Sequence, residues 1–100
     1  MKNVYLFCAA GMSTSLLVTK MQEAAKTAGC DYHIEAFPVS EAGAKGKEAD
    51  ILLLGPQVRF QLNNVKAQVP DKPVEAIDMR AYGMMDGKSV VEHVMSVIGK

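Results

Sequence analysis

Val4-Tyr5-Leu6-Phe7-Cys8-Ala9-Ala10-Gly11-Met12-Ser13-Thr14-Ser15 passes from a continuous apolar run, through small residues, into a cluster of hydroxyls. The unbroken apolar start predicts a strand buried on both faces. Past the turn the period changes. Leu17, Met21, Ala24 and Ala28 fall on one stripe, predicting a helix over 13–28 that Ser13 or Thr14 caps and Gly29 stops.

The rest of the chain repeats this alternation. Residues 32–37 place Tyr32, Ile34 and Ala36 on one side and His33, Glu35 and Phe37 on the other, and Pro38 closes them, the pattern of an edge strand. Residues 40–48 cross to the next strand. Glu41 and Lys45 support a short helix there, and Gly43 and Gly46 weaken it. Ile51-Leu52-Leu53-Leu54 is wholly apolar and therefore central. Gly55-Pro56-Gln57 then opens a helix with Val58, Leu62, Val65 and Val69 on one face, ended by Pro70. Residues 74–77 read as a second edge strand interrupted by Glu75. Residues 86–98 read as a last helix with Val90, Val91, Val94, Val97 and Ile98 inward.

Two uniform strands between two mixed ones predict the order 2-1-3-4. The fold class is α/β, a three-layer sandwich with a four-stranded parallel sheet and helices on both faces. In such doubly wound sheets ligands bind beyond the carboxyl ends of the strands, where connections leave in opposite directions. That point lies between the first and third strands, where Cys8 and Gly55 begin the outgoing turns.

Length fits a single domain over 1–100. Eleven basic residues balance eleven acidic ones, so no basic field invites nucleic acid or an anionic membrane. No apolar run is long enough to span a bilayer, and the amino-terminal segment lacks a signal peptide's length and cleavage pattern. A cytoplasmic monomer is expected. Cys8 and Cys30 fall at opposite ends of the sheet, roughly 15–20 Å apart at about 3.3 Å per strand residue. A disulfide needs alpha carbons within about 7 Å, so these thiols belong in a reducing compartment.

The turn after Cys8 carries the chemistry. Small residues let backbone amides converge into an anion nest, and the following helix adds its unsatisfied amides and dipole. Ser13, Thr14 and Ser15 add hydroxyl donors. A thiol beside such a nest is expected to ionise readily, and a phosphoryl group on its sulfur falls among the same donors. The bland reading is a small buried hydrophobe at a strand end, which unpaired cysteines often are. The position at the switch point favours the functional one.

Cys8-x-x-Gly11-Met12-Ser13-Thr14-Ser15-Leu16-Leu17, with Gly55-Pro56-Gln57 and Tyr82-Gly83, resembles the enzyme IIB component of the bacterial sugar phosphotransferase system. The match is to the lactose/cellobiose class, which includes the chitobiose proteins, and it runs over nearly the whole chain. The resemblance implies a flavodoxin-like fold and a phosphoryl relay. A phosphohistidine on a IIA protein donates to Cys8, and phospho-Cys8 donates to a disaccharide held by the membrane-embedded IIC permease. It makes Cys8 the catalytic nucleophile and Ala9, Ala10, Gly11, Met12, Ser13, Thr14 and Ser15 the phosphate-binding loop, with neither metal nor cofactor. Family members often carry a serine directly after the cysteine; Ala9 removes that hydroxyl and leaves the backbone nest untouched.

The turn also resembles that of the low-molecular-weight tyrosine phosphatases, Cys-x-x-x-x-x-Arg, but Thr14 stands where the arginine would be. The missing clamp suits a carrier better than a hydrolase. A redox module would favour a Cys-x-x-Cys pair, which is absent. Gly55, Pro56, Gln57 and Tyr82 are candidate border residues. Gln57 reads equally as a phosphate or partner contact and as a helix cap; Asp78 and Tyr82 read as turn residues. Met12, Met79, Met84 and Met85 read as a docking surface or as core filling. His33 and His93 read as surface or satisfied groups away from Cys8.

Overall fold

The computed structural model describes residues 1–9 and 14–100, with Thr14 described through its backbone alone. Ala10, Gly11, Met12 and Ser13 of the predicted loop lie outside the described residues.

Strand β1 (Lys2–Cys8) pairs in parallel with β2 (Tyr32–Pro38) on one side and β3 (Ile51–Leu54) on the other, and β3 pairs with β4 (Val74–Ala76). The order is β2-β1-β3-β4, as the burial pattern predicts. Each central strand feeds two cores because consecutive side chains point to opposite faces. Val4, Leu6, Ile51 and Leu53 face one layer, where they meet Leu17, Met21 and Ala25 of α1 (Thr14–Thr27). The same layer holds Val90, Val91 and Val94 of α5 (Gly87–Ile98). Tyr5, Phe7, Leu52 and Leu54 face the other, with Ala42, Val58, Val65 and Val69.

Helix α1 ends where the sequence says it should. Gly29 has φ +76°, the Gly29 N–H donates to Lys26 O at 3.2 Å, and the Cys30 N–H donates to Ala25 O at 2.8 Å. This double closure satisfies the last carbonyls of the helix, and its left-handed residue suits glycine. The buried stripe of α1 runs through Ala25, with Ala24 and Ala28 only half-buried.

The crossover at 40–48 is a short helix, α2 (Ala42–Lys45), between 3-10 turns at Val39–Glu41 and Gly46–Glu48. Phe37 anchors it: its ring lies edge-on to Tyr5 with centroids 4.9 Å apart, and Lys45 Nζ sits 5.3 Å from the ring centre.

Four expectations need correction. The helix expected from Pro56 is a 3-10 stretch over Pro56–Gln61, broken at Val58 (φ −119°, ψ 17°), and only α3 (Leu62–Gln68) is α-helical. Gly55 enters extended, and its carbonyl accepts from the Val58 N–H at 3.0 Å, a bond one residue tighter than an α-turn. The fourth strand stops at Ala76. The Asp78–Tyr82 segment is not a loop: Met79–Gly83 forms α4, capped by Asp78 Oδ2, which accepts from the Ala81 N–H at 2.9 Å. Val97 is 39% exposed, so it is not part of the inward face of α5.

Cys30 and Tyr32 lie at the end of the sheet remote from Cys8. The Tyr32 hydroxyl donates to Gly99 O. Burial first, and then the neighbouring Cys30 thiol, push the Tyr32 pKa up to about 12 from 10.0. The unfolded chain therefore loses this proton first, so stability is present below pH 10.0 and falls as pH rises towards about 12. Urea midpoints measured across that window are expected to drop, and Tyr32→Phe should flatten the decline. Tyr5, raised chiefly by burial, works in the same direction. An unchanged slope in Tyr32→Phe would contradict the assignment.

Candidate functional site

Cys8 is the last residue of β1, in register with Pro38 of β2. One residue earlier, Phe7 pairs with Leu54, the last residue of β3, and the Gly55 N–H donates to Phe7 O at 2.9 Å. The ends of the two central strands are thus tied together. Their outgoing chains diverge: α1 packs on one face, and the 56–68 segment packs on the other. A crevice at the carboxyl edge follows from that divergence. Because β1 and β2 are parallel, α1 must run back along the sheet, which leaves its amino-terminal end at this same edge.

Cys8 is 2% exposed and counts among the buried hydrophobic residues. It is not joined to Cys30. Its sulfur packs against Gly55, where a Cβ would come 3.0 Å from Sγ. The same added Cβ would lie 3.0 Å from Gln57 Oε1. Gly55 is buried, Pro56 half-buried and Gln57 exposed.

Cys8, Gly55, Pro56 and Gln57 are therefore brought together. Ala9 is exposed beside Cys8, Thr14 opens α1, and Ser15 is exposed on its first turn. Tyr82 is 6% exposed and packs in the cluster that holds Leu6 and Leu17, not at the surface.

Both histidines pair with carboxylates, His33 with Glu35 at 2.9 Å and His93 with Glu75. Neither arginine belongs to the turn: Arg59 is in the 3-10 stretch and Arg80 in α4. Arg80 lines a cavity of about 710 Å³ beside β4, α4 and α5, and Cys8 is not among its described lining residues. Asp78 and Asp86 in that lining cap α4 and α5. The Ser89 hydroxyl and N–H hold the Asp86 carboxyl below the usual carboxylate range.

Among the methionines, Met79 and Met84 are exposed and Met85 is half-buried against the core. Leu16 and Phe60 are also exposed, at 51% and 78%. Periodicity gave no sign of this, since an apolar letter does not say which way it points. Leu16, Phe60 and Met79 stand on the three segments that leave β1, β3 and β4.

A family model described as "PTS system, Lactose/Cellobiose specific IIB subunit" matches residues 3–93. The chain belongs to this IIB family. Two Lactococcus lactis proteins each share 47% identity with it over 97 residues, covering 90% of both chains. One is the galactose-specific EIIB component of subspecies cremoris and the other the cellobiose-specific EIIB component of subspecies lactis. The solution structure of the cellobiose-specific phosphotransferase IIB component from Borrelia burgdorferi superposes with a TM-score of 0.79 at 31% identity, covering 97% of this chain and 91% of that one. IIB relatives for different sugars are thus equally similar to it. Among the described residues, no helix is long and apolar enough to cross a membrane.

Proposed function

We infer that the protein is a cytoplasmic phosphocarrier enzyme whose Cys8 accepts a phosphoryl group from a phosphohistidine on a IIA partner. Phospho-Cys8 then passes the group to a disaccharide of the cellobiose, chitobiose or lactose kind, bound by a membrane IIC partner. The observation that carries this reading is the placement of Cys8: a thiol ending a central strand at the switch point, with its sulfur against Gly55.

In the first step the thiolate attacks phosphorus, an S–P bond forms and the N–P bond to histidine breaks, leaving imidazole. In the second, a sugar hydroxyl attacks, an O–P bond forms and the thiolate is restored while a partner base takes the hydroxyl proton. Residues 9–15 cradle the group in this reading, and the amino-terminal end of α1 favours its negative charge. Exposed Leu16, Phe60 and Met79 around the same edge supply apolar area for docking two successive partners.

The test is to mix the protein with phosphoenolpyruvate, the general phosphotransfer proteins and a IIA protein, then record intact mass. One added phosphoryl group that requires IIA supports the relay. Release of free phosphate with no lasting label would favour hydrolysis and overturn it. With no arginine in the turn, phospho-Cys8 is also expected to return its phosphate to IIA far faster than it loses it to water. Comparable rates would show that the site hydrolyses its own intermediate.

A further inference from the structure

Gln57 is exposed, and it does not cap the helical segment it enters: the cap position is Gly55, and no side-chain cap bond forms. Among the described residues its carboxamide takes no hydrogen bond. Instead it turns back over Gly55. The point where a Gly55 Cβ would stand is 3.0 Å from Cys8 Sγ and 3.0 Å from Gln57 Oε1. Sulfur and amide oxygen therefore lie within twice that distance of each other, on either side of the space that a Gly55 side chain would take.

A phosphoryl oxygen stands two bonds from the sulfur that carries it, and a charge-assisted N–H···O⁻ bond spans about 2.7–2.9 Å. End to end, these two steps cover the sulfur-to-amide separation. Half a turn about the last side-chain bond exchanges Oε1 for Nε2, so this carboxamide can offer two N–H donors to an anion. The kink at Val58 matters here, because it breaks the helical path directly after Gln57. Val58 is held in the core while Gln57 stays over the strand ends.

The geometry points to Gln57 as a phosphoryl-binding residue: its side-chain amide donates to an oxygen of phospho-Cys8 across the gap that Gly55 keeps open. This rests on the phosphocarrier reading above and adds a donor that comes from the segment leaving β3. The amide is neutral, so it orients the group without the fixed positive charge that would encourage attack by water.

The test uses the whole chain with its phosphoryl donors. In the ¹⁵N-labelled wild-type protein, the Gln57 side-chain amide protons are expected to shift when Cys8 is phosphorylated. Gln57→Ala is expected to slow phosphoryl acceptance roughly tenfold, the loss of one hydrogen bond to a charged group. Gln57→Glu should slow it more, because a carboxylate then faces the incoming anion, and both variants should move the phosphorus NMR resonance of phospho-Cys8. Gln57 is exposed, so neither change opens a core cavity.

If the wild type gains phosphate on Cys8 while both variants match its rate, this inference alone is overturned. Slowed variants with unmoved Gln57 amide protons would assign the residue to donor docking and overturn the phosphoryl contact. A wild type that never gains phosphate on Cys8 overturns the phosphocarrier reading and this inference with it.

Discussion

Cys8→Ser is expected to lower the rate of phosphoryl acceptance by at least about a thousandfold while leaving the fold intact. The two side chains differ by one atom, so packing against Gly55 survives. The reactive species does not. A thiol reaches its anion near neutral pH, and a serine hydroxyl needs a neighbouring base to act as a nucleophile. The two histidines of the sequence, His33 and His93, are engaged with Glu35 and Glu75. Intact mass after exposure to phosphorylated IIA reads the outcome, with Cys30→Ser as the control at the far end of the sheet. A Cys8→Ser protein labelled at the wild-type rate would sink the relay mechanism. Loss of labelling in Cys30→Ser would move the reactive sulfur elsewhere.

The second large effect is on stability. Gly87 opens α5 directly on the backbone of α1: a Cβ there would come 2.5 Å from the Lys20 carbonyl carbon and 2.6 Å from the Met21 nitrogen. No rotamer relieves a clash with main chain in a helix whose Leu17 and Met21 are fully buried. Gly87→Ala is expected to cost roughly 3 kcal/mol or more, beyond ordinary overpacking, because the two helices must separate. Gly83→Ala provides the opposite sign. Nothing lies within 4 Å of its added Cβ, and the residue ends α4. A gain of about 0.5 kcal/mol is expected there from reduced freedom of the unfolded chain. Urea midpoints of the two variants compare them directly; a Gly87→Ala protein as stable as the parent would mean α5 is not seated as described.

The architecture was readable because burial on two faces demands unbroken apolar runs, which β1 and β3 have, while one-sided burial leaves the alternation of β2 and the Glu75 interruption of β4. That contrast puts β1 and β3 in the middle, and the right-handed crossovers of a doubly wound sheet complete the order. Helix geometry was less readable. Val58, Val65 and Val69 reach the same core whether the chain entering them is α-helical or 3-10, so the stripe cannot tell the two apart. Helix α4 has five residues, too few for a period to emerge, and only Asp78 three residues before Ala81 marks it.

The site divides in the same way. The neighbourhood of Cys8 and Gly55 follows from strand order, which sequence carries. The approach of Gln57 follows from side-chain torsions, which it does not. Leu16 and Phe60 were missed because exposure depends on what the rest of the chain leaves uncovered.

Lys2 Nζ donates to Ile98 O and the Tyr32 hydroxyl to Gly99 O, gathering residues from both extremities of the chain at one pole of the sheet. Cys8 ends β1 at the other pole. An affinity handle or a surface linker attached beyond Gly99 would therefore hold the molecule by its base. Every immobilised copy would turn the carboxyl edge of its sheet outward, so successive donors and acceptors could be flowed over an oriented layer and their residence times read one after another.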